Sequence, residues 1–518
     1  MSILLNWGIV LLASALGIKI IYTYFFSPLS HIPNAGLLAP ISRFLWEFPL
    51  EYRGQLTLEL PKLHKKLGPL VRIGPNEVSF YSLDIYKKVH APSSAFVKDP
   101  RVYGQFVQDG HPALFSITDS KEHAQRRRHM GVLFNRSRVP SLIPMMLEQI
   151  FKFNNLLADI CQKGPVDLVP TCRALEADIV SRFAFGSPIG AIESLASGEE
   201  LSAVKENDLK SSKMPLYTKF PIATQTYDSI TNLIFDVTGW DVSSVASSRW
   251  FDTWANEQLE ASLDSEKASN ISFLKVMAGP RLSTQSALSE AKEMLGPGTD
   301  TTSATLAHIL WALSLNKRLQ DDLFLELEQA NWPTDMAALE SIPLLVACVK
   351  EGIRWTGAAA AMLPRIVPKG GSVLGGKYVA GGTMISSSPI WYLHDEIAFP
   401  EPHKYRPSRW LSKDVIEATT LSNEYYIPFS KGPGTCVGVH FAYLELFLSV
   451  SHILKKYSID SRSDLIVGGD FEAALPPRRE WVAAVPTGPL HVSLRPRDSA
   501  LQSKNTIEGP DVTSLQAA

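Results

Sequence analysis

The stretch that decides the fold reads FSKGPGTCVG and runs from Phe429 to Gly438. Three glycines and one proline surround Cys436, and a long apolar run typical of a helix follows them. Backbone N–H groups of a glycine-rich turn, together with the N-terminus of a helix, stabilise a negatively charged sulfur atom. The pattern therefore predicts a held thiolate at Cys436 with one face open to a ligand.

Several roles for such a cysteine are open at this point. A zinc site needs companion ligands at metal spacing, and neither a C-x-x-C pair nor a closely spaced histidine pair lies near the loop. A cysteine hydrolase needs a histidine partner, which the sequence does not exclude. An axial thiolate ligand to haem needs one cysteine alone. An inert buried cysteine is the main competing interpretation.

The composition is that of an ordinary globular protein. The chain has 518 residues, 45% of them hydrophobic and 20% charged, with a formal net charge of −2, which argues against nucleic acid as the main partner. The four cysteines, Cys161, Cys172, Cys348 and Cys436, are too few and too far apart for a disulfide framework, which indicates a reducing, cytosol-facing compartment. Apolar periodicity predicts a mostly α fold with small β-sheets.

The N-terminus differs from the rest of the chain. Residues 3–26 are almost wholly apolar, and about 20 such residues cross a bilayer. The positive residues lie toward or beyond the end of this run, which predicts a single transmembrane anchor over residues 1–26 with the remainder in the cytosol. An uncleaved signal or a buried core helix are the alternatives. A proline-rich hinge is expected over 27–40, one catalytic domain over 41–498, and a disordered tail over 499–518.

Three further patterns carry polar groups into apolar surroundings. In LGPGTDTTSATLAHILWALSL, Leu295–Leu315, Pro297 is expected to break a helix, and Asp300 and Thr301 at the break would hold water and pass protons, or else cap the helix. Glu351 and Arg354 share one helix face, so they form either a surface pair or, with Arg409 of YRPSRW, a buried cluster.

The third pattern is basic. His123 and Arg127 are four residues apart in EHAQRRRHM, so that both would face the same anion from one helix. The neighbouring Lys121, Arg126 and Arg128 are expected to point elsewhere, as a solvated basic face.

In their order and spacing these elements resemble those of the cytochrome P-450 family of haem-thiolate monooxygenases, over essentially the whole chain. Phe429, Gly432, Cys436 and Gly438 match the family's loop pattern Phe-x-x-Gly-x-Arg-x-Cys-x-Gly. Details such as RIGPNEVSF and GPLHVSLRPR resemble membrane-bound fungal members of secondary metabolism. Two positions depart from the family pattern: Gly434 stands where an arginine usually binds a haem propionate, and Pro297 where a small residue is usual.

The resemblance implies a role for each motif. The cofactor would be haem b, with Cys436 as the axial iron ligand in a loop that includes Phe429 and Gly438. The propionates would bind His123, Arg127 and Arg365; Glu351, Arg354 and Arg409 would form a structural cluster; and Asp300 and Thr301 would deliver protons during oxygen reduction. The substrate pocket would include Tyr103, Phe106, Phe115, Ala359, Ala360, Leu363 and Val485.

The resemblance also implies partners and a location. An NADPH-dependent flavoprotein reductase would dock on the basic surface that includes Arg126 and Arg128, and one atom of O₂ would enter an apolar small molecule. The location would be the endoplasmic reticulum membrane, spanned once, with a cytosolic catalytic domain. A haem isomerase or dehydratase that does not activate O₂, or a non-catalytic haem-binding protein, are the alternatives.

Overall fold

The computed structural model describes residues 2–242, 247–264, 272–411, 416–461 and 472–497. Within these ranges the fold is mostly helical with small sheets, which confirms the predicted class. The expected tail, 499–518, lies outside the described residues. The helices are α1 Ser2–Ile21, α2 Glu47–Tyr52, α3 Leu56–Leu67, α4 Leu83–Val89, α5 Pro100–Tyr103, α6 Ser120–Phe134, α7 Ile143–Ile160, α8 Leu168–Phe185, α9 Ala191–Ala196, α10 Ser202–Lys219, α11 Pro221–Thr238, α12 Ser247–Leu263, α13 Phe273–Met277, α14 Thr284–Leu315, α15 Lys317–Gln329, α16 Met336–Glu340, α17 Pro343–Thr356, α18 Pro389–Leu393, α19 Ile416–Tyr425 and α20 Val439–Lys456.

The strands form four small sheets. A five-stranded sheet has the order β1-β2-β8-β5-β3 and a three-stranded sheet the order β4-β12-β9, while β6 pairs with β7 and β10 with β11. Their bounds are β1 Leu70–Gly74, β2 Glu77–Phe80, β3 Val97–Lys98, β4 Val166–Asp167, β5 Arg365–Ile366, β6 Ser372–Leu374, β7 Lys377–Val379, β8 Met384–Ser386, β9 Tyr457–Ser461, β10 Arg478–Glu480, β11 Ala484–Pro486 and β12 His491–Pro496.

Helix α14 forms the central axis of the core and packs against α8, α17 and α20. It runs without interruption from Thr284 to Leu315, so the expected break at Pro297 was wrong. A Cβ on Gly298 would lie only 3.1 Å from the side chain of Val180 in α8, so the glycine allows the two helices to pack closely. This packing beside Pro297 supports an uninterrupted helix although proline removes one backbone donor.

The N-terminal segment begins with α1, and a short π-helical turn, Tyr22–Phe26, follows it. Among the residues that the structure describes, no helix meets the length and apolarity needed to cross a membrane. The proline-rich stretch after it packs on the five-stranded sheet, where Leu29 and Ile32 are buried. Arg72 of β1 donates hydrogen bonds to the carbonyl oxygen of Thr23 and to Oγ of Ser27, which fixes the start of this stretch to the sheet.

Candidate haem-binding site

The cysteine loop has a fixed shape that depends on one glycine. The N–H of Cys436 donates to the carbonyl oxygen of Phe429 at 2.9 Å, which closes the turn. Gly432 has a φ of +68°, and a Cβ there would lie 1.8 Å from the carbonyl oxygen of His90. Only glycine fits both conditions. The loop ends at Gly438, where α20 begins and leads back into the core.

Cys436 is accessible, whereas Cys172 and Cys348 are buried. Burial by the surrounding protein nevertheless raises the pKa of the Cys436 thiol, while the N–H of Gly438 and the charge of Arg127 lower it. The thiol therefore borders a space inside the molecule. The effect of burial exceeds that of the two stabilising groups, and the thiolate at Cys436 stays a prediction. A bound metal ion is what would remove the proton.

Cations converge beside this loop. His123 is buried on α6, and Arg127, one turn later, donates to the carbonyl oxygen of Thr435. Arg365 of β5 is also buried, and its Nη1 donates to the hydroxyl of Tyr103 at 2.7 Å. Its Nη2 lies 3.3 Å from where a Cβ of Gly434 would be. Within the described ranges no carboxylate forms an ion pair with His123, Arg127 or Arg365.

The electrostatics of this cluster favour an anion. The pKa of His123 falls to about 4, first because of burial and then because of the positive charges of Lys98, Arg127 and Arg365. His123 is therefore a neutral hydrogen-bond donor beside the two charged guanidinium groups of Arg127 and Arg365, an arrangement that suits a negatively charged ligand. An accessible thiol next to two guanidinium groups and an imidazole fits haem, whose iron would bind the sulfur and whose propionates would bind the three basic side chains.

A second cluster lies behind the loop. The carboxylate of Glu351 accepts from Nε and Nη2 of Arg354 at 2.9 and 2.8 Å and from Nε of Arg409 at 2.9 Å. The indole N–H of Trp410 and the backbone N–H of Arg406 also donate to Glu351, at 2.9 and 3.0 Å. The structure thus brings the three predicted residues together. Sequence reasoning quoted YRPSRW but missed these two donors in it.

Asp300 and Thr301 lie on α14. The hydroxyl of Thr301 donates to the carbonyl oxygen of Pro297 at 2.7 Å. Asp300 lines a cavity together with Arg173, His308 and Val485. Arg173 of α8 is held by Glu200 at 3.0 Å and Asp208 at 2.7 Å. Burial lowers the pKa of Arg173, but the charges of Asp208, Glu200 and Asp300 outweigh it and raise the pKa overall. Sequence reasoning missed Arg173, since 127 positions separate it from Asp300.

The predicted pocket residues occupy different places. Tyr103 is buried and bonded to Arg365, so it belongs to the cation cluster. The rings of Phe106 and Phe115 meet edge to face at 5.0 Å. Three others hold the chain near α17: Ala359 forms a bridge with Ala483, the carbonyl oxygen of Ala360 accepts from Ser388, and the N–H of Leu363 donates to Ser387. Substrate contact by these residues stays a prediction.

One basic residue lies elsewhere than expected. Arg126 is buried, and its Nη1 forms an ion pair with Glu290 of α14 at 2.6 Å. Our placement of Arg126 on a solvated face was therefore wrong, because its guanidinium binds the buried carboxylate of Glu290 in the core helix α14. Arg128 and Lys121 are exposed on α6.

Fold and site together define a haem-thiolate protein. Residues 38–467 match the family model of cytochrome P450, and the chain belongs to that family. Among curated relatives, cytochrome P450 monooxygenase macH of Penicillium terrestre is 26% identical over 86% of this chain and 89% of its own. Cytochrome P450 monooxygenase sdnE of Sordaria araneosa is 27% identical over 92% and 96%, and ankB of Aspergillus thermomutatus 27% over 84% of both chains.

The resemblance found in the sequence is thus confirmed. The cofactor is haem with a thiolate ligand, and the enzyme class is that of the monooxygenases. Bound at this site, haem supplies the reduction and cleavage of O₂. Cys436 would hold the iron, and His123, Arg127 and Arg365 the propionates.

Proposed function

We propose that this enzyme oxidises an apolar small molecule of secondary metabolism, inserting one oxygen atom as a hydroxyl or epoxide or through several such steps. The observation that carries the proposal is the accessible thiol of Cys436 beside Arg127 and Arg365, which form no ion pair with a carboxylate in the described part of the chain. The names of the fungal relatives support the monooxygenase class.

The residues of α14 would handle the protons that oxygen reduction consumes. The carboxylate of Asp300 borders the cavity, and Arg173 holds positive charge next to it. A carboxylate in this position accepts protons from solvent and returns them to the site. Thr301 would orient water through its hydroxyl, once rotation releases it from Pro297.

The decisive experiment uses the holoenzyme with its reductase, NADPH and a candidate apolar substrate under ¹⁸O₂. One heavy oxygen atom in the product, with NADPH consumed, is the expected result. Product that forms equally well without NADPH or O₂ would identify an isomerase or dehydratase instead. Spectral binding without any product, across a set of substrates from the host, would favour a non-catalytic haem protein.

We further propose that residues 1–26 anchor the chain in the endoplasmic reticulum membrane, crossing it once with the catalytic domain in the cytosol. Apolar side chains in this segment are exposed, with Leu11 at 68%, Ile18 at 69% and Phe25 at 74% of full accessibility. An NADPH-dependent flavoprotein reductase would approach from the cytosolic side. Arg128 supports its docking, whereas Arg126 is turned into the core.

A further inference from the structure

Lys98 occupies a costly position in the sheet. It lies in β3 directly opposite Arg365 in β5. Like charges in directly opposed positions of an antiparallel pair destabilise it. Its ammonium group also contributes to the low pKa of His123 on α6. Lys98 is thus a fourth basic residue that faces the propionate-binding group of His123, Arg127 and Arg365, and neither sequence motif nor resemblance pointed to it.

The hydrogen bonds of Lys98 use only two of the three donors of its ammonium group. Its Nζ donates to the carbonyl oxygens of Phe115 and Leu114, at 2.8 and 3.2 Å. An ammonium group has three donors, so one N–H remains. The ring of Tyr103 lies 5.1 Å from Nζ, and the hydroxyl of the same ring accepts from Arg365. Tyr103 therefore contacts both Lys98 and Arg365.

Neighbouring carboxylates do not neutralise Lys98. The carboxylate of Glu290 accepts hydrogen bonds from Arg126 and from the N–H of Leu114. The carboxylate of Glu293 accepts hydrogen bonds from the hydroxyl of Ser116 and from the N–H of Phe115. The pKa of Lys98 falls to about 7, through burial first and the charge of Arg365 second, although both glutamates raise it. Among the described residues neither glutamate forms an ion pair with Lys98.

We propose that Lys98 binds a haem propionate and replaces the arginine that is absent at position 434. Gly434 has no side chain, and only Nη2 of Arg365 lies near the place of its missing Cβ, at 3.3 Å. Lys98 stands across the strand pair from that guanidinium. A propionate between the two would relieve their repulsion and accept the remaining N–H of Lys98.

The test compares haem transfer from three holoenzyme variants to apomyoglobin. Lys98→Met should release haem about tenfold faster than the unmodified enzyme, which corresponds to about 1.4 kcal/mol. Lys98→Arg should stay within about twofold, because it keeps the charge. Lys88→Met is the matched control, since Nζ of Lys88 also donates to a carbonyl oxygen, that of Val373 at 2.9 Å, but on the surface. Equal rates for Lys98→Met and Lys88→Met would overturn the proposal.

Two readouts separate propionate binding from a general loss of packing. The propionate bending modes in the resonance Raman spectrum should shift in Lys98→Met and not in Lys88→Met. Adding Gly434→Arg to Lys98→Met should restore slow haem loss, because an arginine returns at the position where the family pattern has one. Faster haem loss without a Raman shift, or without rescue by Gly434→Arg, would show that Lys98 only supports the loop and would overturn the proposal.

Discussion

At the scale of single residues, the candidate haem-binding site depends on side chains that no other residue type can replace. Of the four cysteines, Cys436 is the one that borders open space on a loop shaped for a ligand. Burial raises the pKa of its thiol, whereas the nearby Arg127 and the N–H of Gly438 lower it. Its identity therefore matters for the cofactor rather than for the packing of the fold.

Cys436→Ser should abolish the red-shifted Soret band of the ferrous carbon monoxide complex, because that band reports a thiolate ligand. The measurement is the difference spectrum of the purified enzyme after reduction and exposure to carbon monoxide. Cys161→Ser, a half-buried residue at the end of α7, is the control and should leave the band intact. A surviving band in Cys436→Ser would mean that another residue binds the iron.

Gly432→Ala should impair the loop far more than Gly434→Ala. The first change forces a side chain into a left-handed conformation and against the carbonyl oxygen of His90. Strain and clash each cost about 1–3 kcal/mol. Gly434 has an ordinary backbone and only the end of Arg365 nearby. Haem content per chain after expression measures the difference, and equal haem content would contradict this view of the loop.

At the scale of elements, two helices bring together a pair of carboxyl groups that no sequence motif predicts. Glu176 of α8 and Glu445 of α20 are both buried and face each other. Two carboxyl groups form a hydrogen bond only when one carries a proton. Burial raises the pKa of Glu176 to about 7, and burial together with the charge of Glu176 raises that of Glu445 well above its usual range.

This pair predicts a pH-dependent stability. Because the folded state binds more protons than the unfolded state, whose glutamates titrate near 4.5, the free energy of unfolding should fall as the pH rises from about 4.5 to about 7. Glu445→Gln removes one ionising group and should raise the melting temperature at pH 8 relative to the unmodified enzyme, with a gain of about 1–3 kcal/mol. At pH 5 the change should be small.

Thermal unfolding of the holoenzyme at pH 5 and pH 8 checks this. Glu424→Gln is the control, since Glu424 lies on the surface and pairs with Lys87. An equal effect of Glu445→Gln at both pH values would show that the pair does not share a proton in the folded protein.

The N-terminal element can be tested by itself. Carbonate washing of microsomes should leave the full-length chain in the pellet, because apolar side chains of α1 and the following turn are exposed. A chain that lacks residues 1–26 should be released more readily while it keeps its haem. Release of the intact full-length chain would contradict the proposed anchor.

Local motifs could be predicted from the sequence, whereas pairings between distant elements could not. Glu351 and Arg354 lie one turn apart, so their meeting follows from helix geometry. Arg126 and Glu290 are 164 positions apart, and Lys98 and Arg365 are joined only by strand register. Pro297 misled the prediction for the same reason, because the packing of α8 on Gly298 is a tertiary contact.

At the scale of the whole molecule, the carboxylate of Glu351 is connected to the haem loop by a chain of contacts. Trp410 donates to Glu351, and its ring meets that of Tyr426 at 5.3 Å. The hydroxyl of Tyr426 lies 2.8 Å from that of Tyr443 in α20. The ring of Tyr443 lies 5.7 Å from that of Phe429, the first residue of the loop.

Disturbing Glu351 should therefore weaken both the fold and the retention of haem. In Glu351→Gln the guanidinium of Arg354, which is fully buried, loses its counter-ion. Removing one partner of a buried pair costs about 3–5 kcal/mol, because the other charge stays in the core. Urea unfolding followed by tryptophan fluorescence measures this loss. Haem transfer to apomyoglobin measures whether it reaches the loop. In the control, Glu401→Gln, the carboxylate that pairs with Arg406 is half exposed, so the loss of stability should be small. A large loss of stability with unchanged haem transfer would show that the contacts through Trp410 and Tyr426 do not couple the cluster to the cysteine loop.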